Sequence, residues 1–439
     1  MVTLLLLCVT SPAQSFVEPE LKALLGVDDA GRLPVTIVLK SQADVLLPKA
    51  NAKACSGEEN RRATVVKQLK KHSAASQESL LSFLRSSEKQ GGVSNISNLW
   101  VANAICCEAT ADIINHIASR NDVASIALDK DVAMACNAVV EDVAQSVVEA
   151  RAGLTPHIMQ VRAPQVWEQG YTGKNVVVAI LDSGINDEHT DLKDHLWQGY
   201  ADTDGDGEAD DPVHGWNFSV KDVKGNSNIR DDYGHGTHCA GIICGDGTSG
   251  NIVGIAPDAT LMAIKTIDRA GGGSPAKMMR GVQFAIENGA DIISISSGFK
   301  SNQIGTADKE ALRRTFESAL SAGVIAFVAA GNDGEADGDA KYVDVPASCP
   351  PPYLHPDQQS NGGGLSAVVC VGAVNNEDKY ATFSSPGPAT WQDTSYGDYP
   401  LGNNENHIGL LRPDICAPGD YIFSLKHDDN DKYKIMSGT

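Results

Sequence analysis

Long apolar runs are missing from this chain of 439 residues. No stretch of about 18 apolar residues occurs, so none reads as a membrane-spanning helix. Basic residues are scarce: 35 Lys and Arg stand against 56 Asp and Glu, for a formal charge of −21. A phosphate backbone needs a basic surface, so the balance argues against nucleic acid as the main partner and allows bound cations instead. Aromatics make up only 5%, yet 42% of the chain is apolar and 42 residues are glycine. That composition excludes a fibrous or disordered chain and suits an α/β protein rich in tight turns. No CxxC pair is found among the ten cysteines, five of which follow residue 150 and cannot all pair with one another. No specific disulfide is expected.

The start of the chain lacks the basic flank of an export signal. It does carry the short apolar run Leu4–Val9 followed by Ser11-Pro12-Ala13, and small residues at 11 and 13 suit cleavage before Gln14. A signal peptide over residues 1–13 and a secreted protein are expected; a buried N-terminal strand is the alternative.

Two folded parts follow. Residues 14–150 read as a small α/β unit ending in a linker. It has strands at Val35–Leu39, Asn98–Ile105 and Val123–Leu128, and helices at Thr64–Leu84 and Ala111–Ser119. Residues 130–155 are mixed and polar and read as the linker. From residue 151 to 439 strands alternate with helices, beginning with the continuous apolar run Val176–Leu181 that a sheet covered on both faces requires. Ser274-Pro275 opens one helix and Gly289 closes it; Asp308–Ala322 is another, stopped by Gly323. Strands are expected at Asp291–Ser296, Val324–Ala330 and Ala367–Val374. The fold class is therefore α/β, a doubly wound and mostly parallel sheet, and its chemistry belongs at the carboxyl ends of the strands.

Four features sit at such ends. Asp182-Ser183-Gly184 closes the first strand. Gly234-His235-Gly236-Thr237-His238 places an imidazole at a loop-to-helix junction, with spacing wrong for a zinc helix. Ala329-Ala330-Gly331-Asn332 ends a strand in a side-chain amide, and Met436-Ser437-Gly438-Thr439 is the last segment. In this order they resemble the subtilisin-like serine peptidases (subtilases), over nearly all of residues 155–439.

The resemblance implies roles. His235 is the expected general base, Asp182 the carboxylate that orients it, and Asn332 the oxyanion donor. Gly271, Gly272 and Gly273 would be the edge that pairs with a polypeptide substrate. Ser296, Ser297, Gly298, Ala330 and Gly331 would wall the pocket for the residue before the scissile bond, with Ser297 less greasy than a Leu. The family motif continues Gly-Thr-Ser-Met-Ala, so the nucleophile is expected at position 440, directly after Thr439. A catalytically inactive subtilase-fold binding protein is the alternative. The N-terminal unit resembles an inhibitor-type subtilase propeptide through Leu99–Ile105 and Val123–Asp129, which implies an intramolecular inhibitor. Eleven acids and one lysine lie between Asp182 and Asp211. Asp202, Asp204, Asp206, Glu208 and Asp210 put hard oxygen ligands on one loop, the arrangement Ca²⁺ prefers, without a full EF-hand. Asp191 matches a calcium ligand of the family.

Overall fold

The structure is a computed structural model that describes residues 15–27, 31–43, 58–134, 139–140, 153–203, 207–334, 343–350, 353–354, 364–365, 367–389 and 410–439. The expected signal segment 1–13 lies outside these residues.

The strand Val177–Asp182 explains why the sequence is apolar without alternation. Val178 and Ile180 enter one core with Leu261, Ala263 and Ala240. Ala179 and Leu181 enter another with Met262, Ile264 and Val282. Side chains of a strand alternate between faces, so both faces must be covered to bury such a run. The sheet has seven strands, all parallel, in the order Gly215–Asn217, Thr260–Lys265, Val177–Asp182, Ile292–Ile295, Ile325–Ala329, Val368–Val374 and Ile415–Pro418. From Val177–Asp182 the chain builds first to one side and then to the other. This switch point is where a doubly wound sheet opens its ligand crevice. The helix Pro275–Glu287 starts as the sequence indicates, with the Ser274 hydroxyl accepting from the Lys277 N–H at 3.3 Å.

The N-terminal unit has its own five-stranded sheet and its own core around Ile37, Leu80, Ile105 and Ile126. Its long helix runs Glu58–Lys89, beyond both expected ends. The expected strand Asn98–Ile105 is two strands, Val93–Leu99 and Ala104–Thr110, joined by a turn. Asn103 drives that turn. It takes φ +44, and its carboxamide donates to Ser41 O at 2.5 Å and accepts from Gln77 Nε2 at 2.8 Å. Asn tolerates the left-handed region better than most residues, and the buried amides satisfy it there.

The turn frees Trp100 to reach the second unit. Its backbone N–H donates to Gln283 and its indole N–H to Glu287, at 2.9 and 2.8 Å. Around it, charges match helix ends. Asp129 and Glu18 accept from the N–H groups of Ala276 and Ala307, at the starts of helices Pro275–Glu287 and Thr306–Ser321. Arg61 donates to the Leu320 and Ser321 carbonyls, at the far end of the second helix. Acids at N-termini and cations at C-termini complement the helix dipoles.

Two stretches of the segment read as a linker form strands. Val132–Ala133 pairs antiparallel with Gly272–Gly273, and Val139–Val140 with Met436–Ser437. Backbone pairing needs no side-chain pattern, so composition alone hides it.

Candidate active site

Asp182 is the last residue of its strand. Its carbonyl accepts from Thr266 N–H, and its Oδ1 accepts from Ser183 N–H and from His235 Nδ1, both at 2.7 Å. The carboxylate is 1% exposed, and Oδ2 is buried without a partner among the described residues. His235 immediately precedes the helix Gly236–Cys244 and is 7% exposed. The close approach requires Gly236: a Cβ there would lie 2.1 Å from Gly184 O and 3.1 Å from Asp182 Oδ1. Burial alone would push the imidazole down. The Asp182 carboxylate, with the Cys239 sulfur 3.8 Å from both ring nitrogens, reverses that and raises it well above its ordinary value.

His238, three residues on, is no partner of this pair. Its Nε2 meets Ile422 O at 3.0 Å, and burial pushes it down to about 3. It ties the helix to the strand Ile422–Leu425, which pairs with Tyr433–Ser437 and so with the segment ending at Thr439.

Asn332 lies just past the strand Ile325–Ala329. Its Oδ1 accepts from Thr439 N–H at 2.9 Å and from the Thr439 hydroxyl at 3.0 Å, while Gly331 N–H donates to that hydroxyl at 3.2 Å. A backbone N–H only donates, so the contact fixes which end of the carboxamide is oxygen and which is the donor.

One positioning residue escaped the sequence reading. Asp231 is buried. Its Oδ1 accepts from the Ser183 hydroxyl and the Gly234 N–H, and its Oδ2 from the N–H and hydroxyl of Thr237. It binds the turn after Asp182 to the turn carrying His235. Its Oδ1 also accepts from Tyr233 N–H, two residues on, and an Asp that bonds its own following backbone in such a turn is the local signal that points to it.

The remaining candidates divide. Gly271–Gly273 carry an antiparallel strand, Met134 N–H donating to Gly271 O at 3.0 Å. Gly298, Ala330 and Gly331 are buried, as is Ser297; Ser296 is half-buried. The acidic loop is exposed at Asp202, Glu208 and Asp210, whereas Asp204 and Asp206 lie outside the described residues. Asp191 is fully buried, and its two oxygens accept from Ser249 N–H at 2.6 Å and the Tyr433 hydroxyl at 2.9 Å. Each oxygen thus accepts one protein hydrogen bond, and an ionised carboxylate has about four acceptor sites. Among the described residues, the one group of three or more His, Cys, Asp or Glu with ligand atoms within 4.8 Å is Asp182, His235 and Cys239. The described cysteines are all free thiols.

A buried carboxylate–imidazole pair at the switch point of a parallel sheet has the geometry that nucleophilic hydrolases use for acid–base work. The profile of the subtilase family matches residues 173–439, and the chain belongs to that family. It is 30% identical over 283 residues to the major intracellular serine protease of Bacillus subtilis strain 168, covering 64% of this chain and 69% of that protein. Subtilisin E of the same strain is 33% identical over 231 residues, 52% of this chain and 49% of that protein. The subtilisin of Bacillus pumilus is 33% identical over 231 residues, covering 68% of its length. These relatives support a serine-type peptidase and hydrolysis of peptide bonds.

Proposed function

We propose that the complete protein is a secreted endopeptidase that cuts polypeptides with Asp182, His235 and a nucleophile at the position following Thr439. The observation that carries this reading is the 2.7 Å contact between His235 Nδ1 and Asp182 Oδ1. With Nδ1 held, Nε2 is the atom left to take the proton of the nucleophile and return it to the leaving amine. Asp182 holds the tautomer and stabilises the imidazolium. Asn332, oriented by Thr439, offers Nδ2 to the developing oxyanion. The edge Gly271–Gly273 aligns the substrate backbone. Hydrolysis of denatured casein by the protein translated past codon 439 is the first test.

In this reading the N-terminal unit is the enzyme's own inhibitor, because its tail Val132–Met134 occupies the substrate edge. Residues 14 to about 150, added separately, inhibit the mature enzyme at micromolar concentration or below. Trp100→Ala weakens that inhibition by roughly 30-fold or more, since a buried interfacial Trp whose indole N–H is hydrogen-bonded is typically worth ~2 kcal/mol or more, while the backbone bond to Gln283 remains. Inhibition unchanged by the substitution would remove the docking role.

The loop Asp202–Asp211 remains our proposed Ca²⁺ site, on the strength of its spaced carboxylates. A ligand at a hundredfold excess over Kd stabilises by roughly 2.7 kcal/mol, so EDTA lowers the thermal midpoint. A midpoint indifferent to EDTA would leave this loop as a solvated acidic turn.

A further inference from the structure

One buried acid has no part in the machinery above. Asp344 is 2% exposed, and its Oδ2 has no hydrogen-bond partner among the described residues. Its segment closes the space between the two stretches assigned as pocket walls. Asp344 N–H donates to Ala330 O at 3.0 Å, and Val345 exchanges backbone hydrogen bonds with Phe299, each at 2.8 Å. The side chain lies against both walls. A Cβ on Gly331 would stand 2.6 Å from Asp344 Oδ2, and one on Gly298 would stand 2.6 Å from its Cβ. The two wall glycines therefore make room for this carboxyl group. The hydroxyl of Ser297, the residue before Gly298, is also buried without a partner among the described residues.

An orphaned acceptor in a pocket wall is costly unless something arrives to satisfy it. Burial, then the neighbouring Asp333, push the Asp344 carboxyl up to about 8, while Lys300 opposes them. Lys300 is itself engaged, its Nζ 2.7 Å from Asp333 Oδ1. Neither neighbour neutralises the group.

We infer that Asp344 is the specificity carboxylate of the pocket that receives the residue before the scissile bond, and that the preferred substrates carry Lys or Arg there. This rests on the peptidase reading and names its substrate class. A cationic side chain entering the pocket donates to Oδ2, holds Asp344 ionised and removes the cost of the orphan. The formal charge of −21 also draws cationic peptides toward the surface.

The test compares peptide anilides differing only at the residue before the cleaved bond, with the complete enzyme and its Asp344→Asn variant. With the parent enzyme, kcat/KM for Arg or Lys exceeds that for Leu or Phe by about tenfold or more. In Asp344→Asn, which keeps shape and loses charge, the Arg-to-Leu ratio falls by about a hundredfold. Benzamidine, a small cationic probe, inhibits the parent competitively and the variant far more weakly. A preference for Leu or Phe, or an Arg-to-Leu ratio unmoved by Asp344→Asn, overturns this inference while leaving the peptidase standing. No hydrolysis of any anilide or of casein overturns both.

Discussion

In the complete enzyme His235→Ala lowers kcat on casein-like substrates by on the order of 10⁶-fold, the loss that subtilisin itself shows when the same imidazole is removed. The size follows from the geometry. With Asp182 1% exposed and bonded to Nδ1, the imidazole is the group placed to accept the nucleophile's proton, and Ala leaves that proton to water. On the proposed mechanism binding survives, because the assigned substrate edge Gly271–Gly273 does not involve His235. The signature is therefore a collapse of kcat with KM changed little. Activity above about one-hundredth of the parent would remove His235 as the base.

Asp182→Asn costs about 10⁴-fold and moves the pH profile in a stated direction. In the parent, burial depresses the imidazole but the adjacent carboxylate outweighs it, and His235 lies well above its ordinary value. In the proposed mechanism the working base is the neutral ring, so the acid limb of kcat/KM is expected on the alkaline side of about 6.5. Removing the carboxylate's charge leaves burial in control, and the limb shifts to lower pH. The stability linkage has the corresponding sign. A group whose folded value is raised contributes stability that is complete below its unfolded value of about 6.5 and is lost as pH rises through the folded one. Asp182→Asn thus flattens the stability profile across that alkaline window. An acid limb that stays in place after the substitution would mean that Asp182 does not set the charge of His235.

How much of this was legible beforehand depended on the kind of signal. Asp182, His235 and Asn332 stand out because a parallel sheet places chemistry at strand ends, and short sequence segments mark those ends. The helix starting at Pro275 was equally open to reading, since Ser274 and the proline are local signals. Asn98–Ile105 misled, because its apolar residues continue through the turn; only the tertiary partners of Asn103 and Trp100 break the strand. The paired segments Val132–Ala133 and Val139–Val140 left no trace, being backbone hydrogen bonds to partners far away in sequence. Asp344 was invisible for a related reason: nothing near it in the chain says that Gly298 and Gly331 will fold against its carboxyl group. The acidic loop was conspicuous by composition, whereas the hydrogen-bond partners of Asp191, Ser249 and Tyr433, lie far away in sequence and left no local signal.

The most direct measurement is covalent labelling of the complete protein with an alkyl fluorophosphonate, followed by peptide mass mapping. The expected result is one adduct, on the residue that follows Thr439, in the tryptic peptide that begins at Ile435. His235→Ala should abolish it, because the nucleophile is then no longer activated. An adduct on any other residue, or casein hydrolysis by a protein that takes no label, would contradict the assignment of the nucleophile to that position beside Asn332.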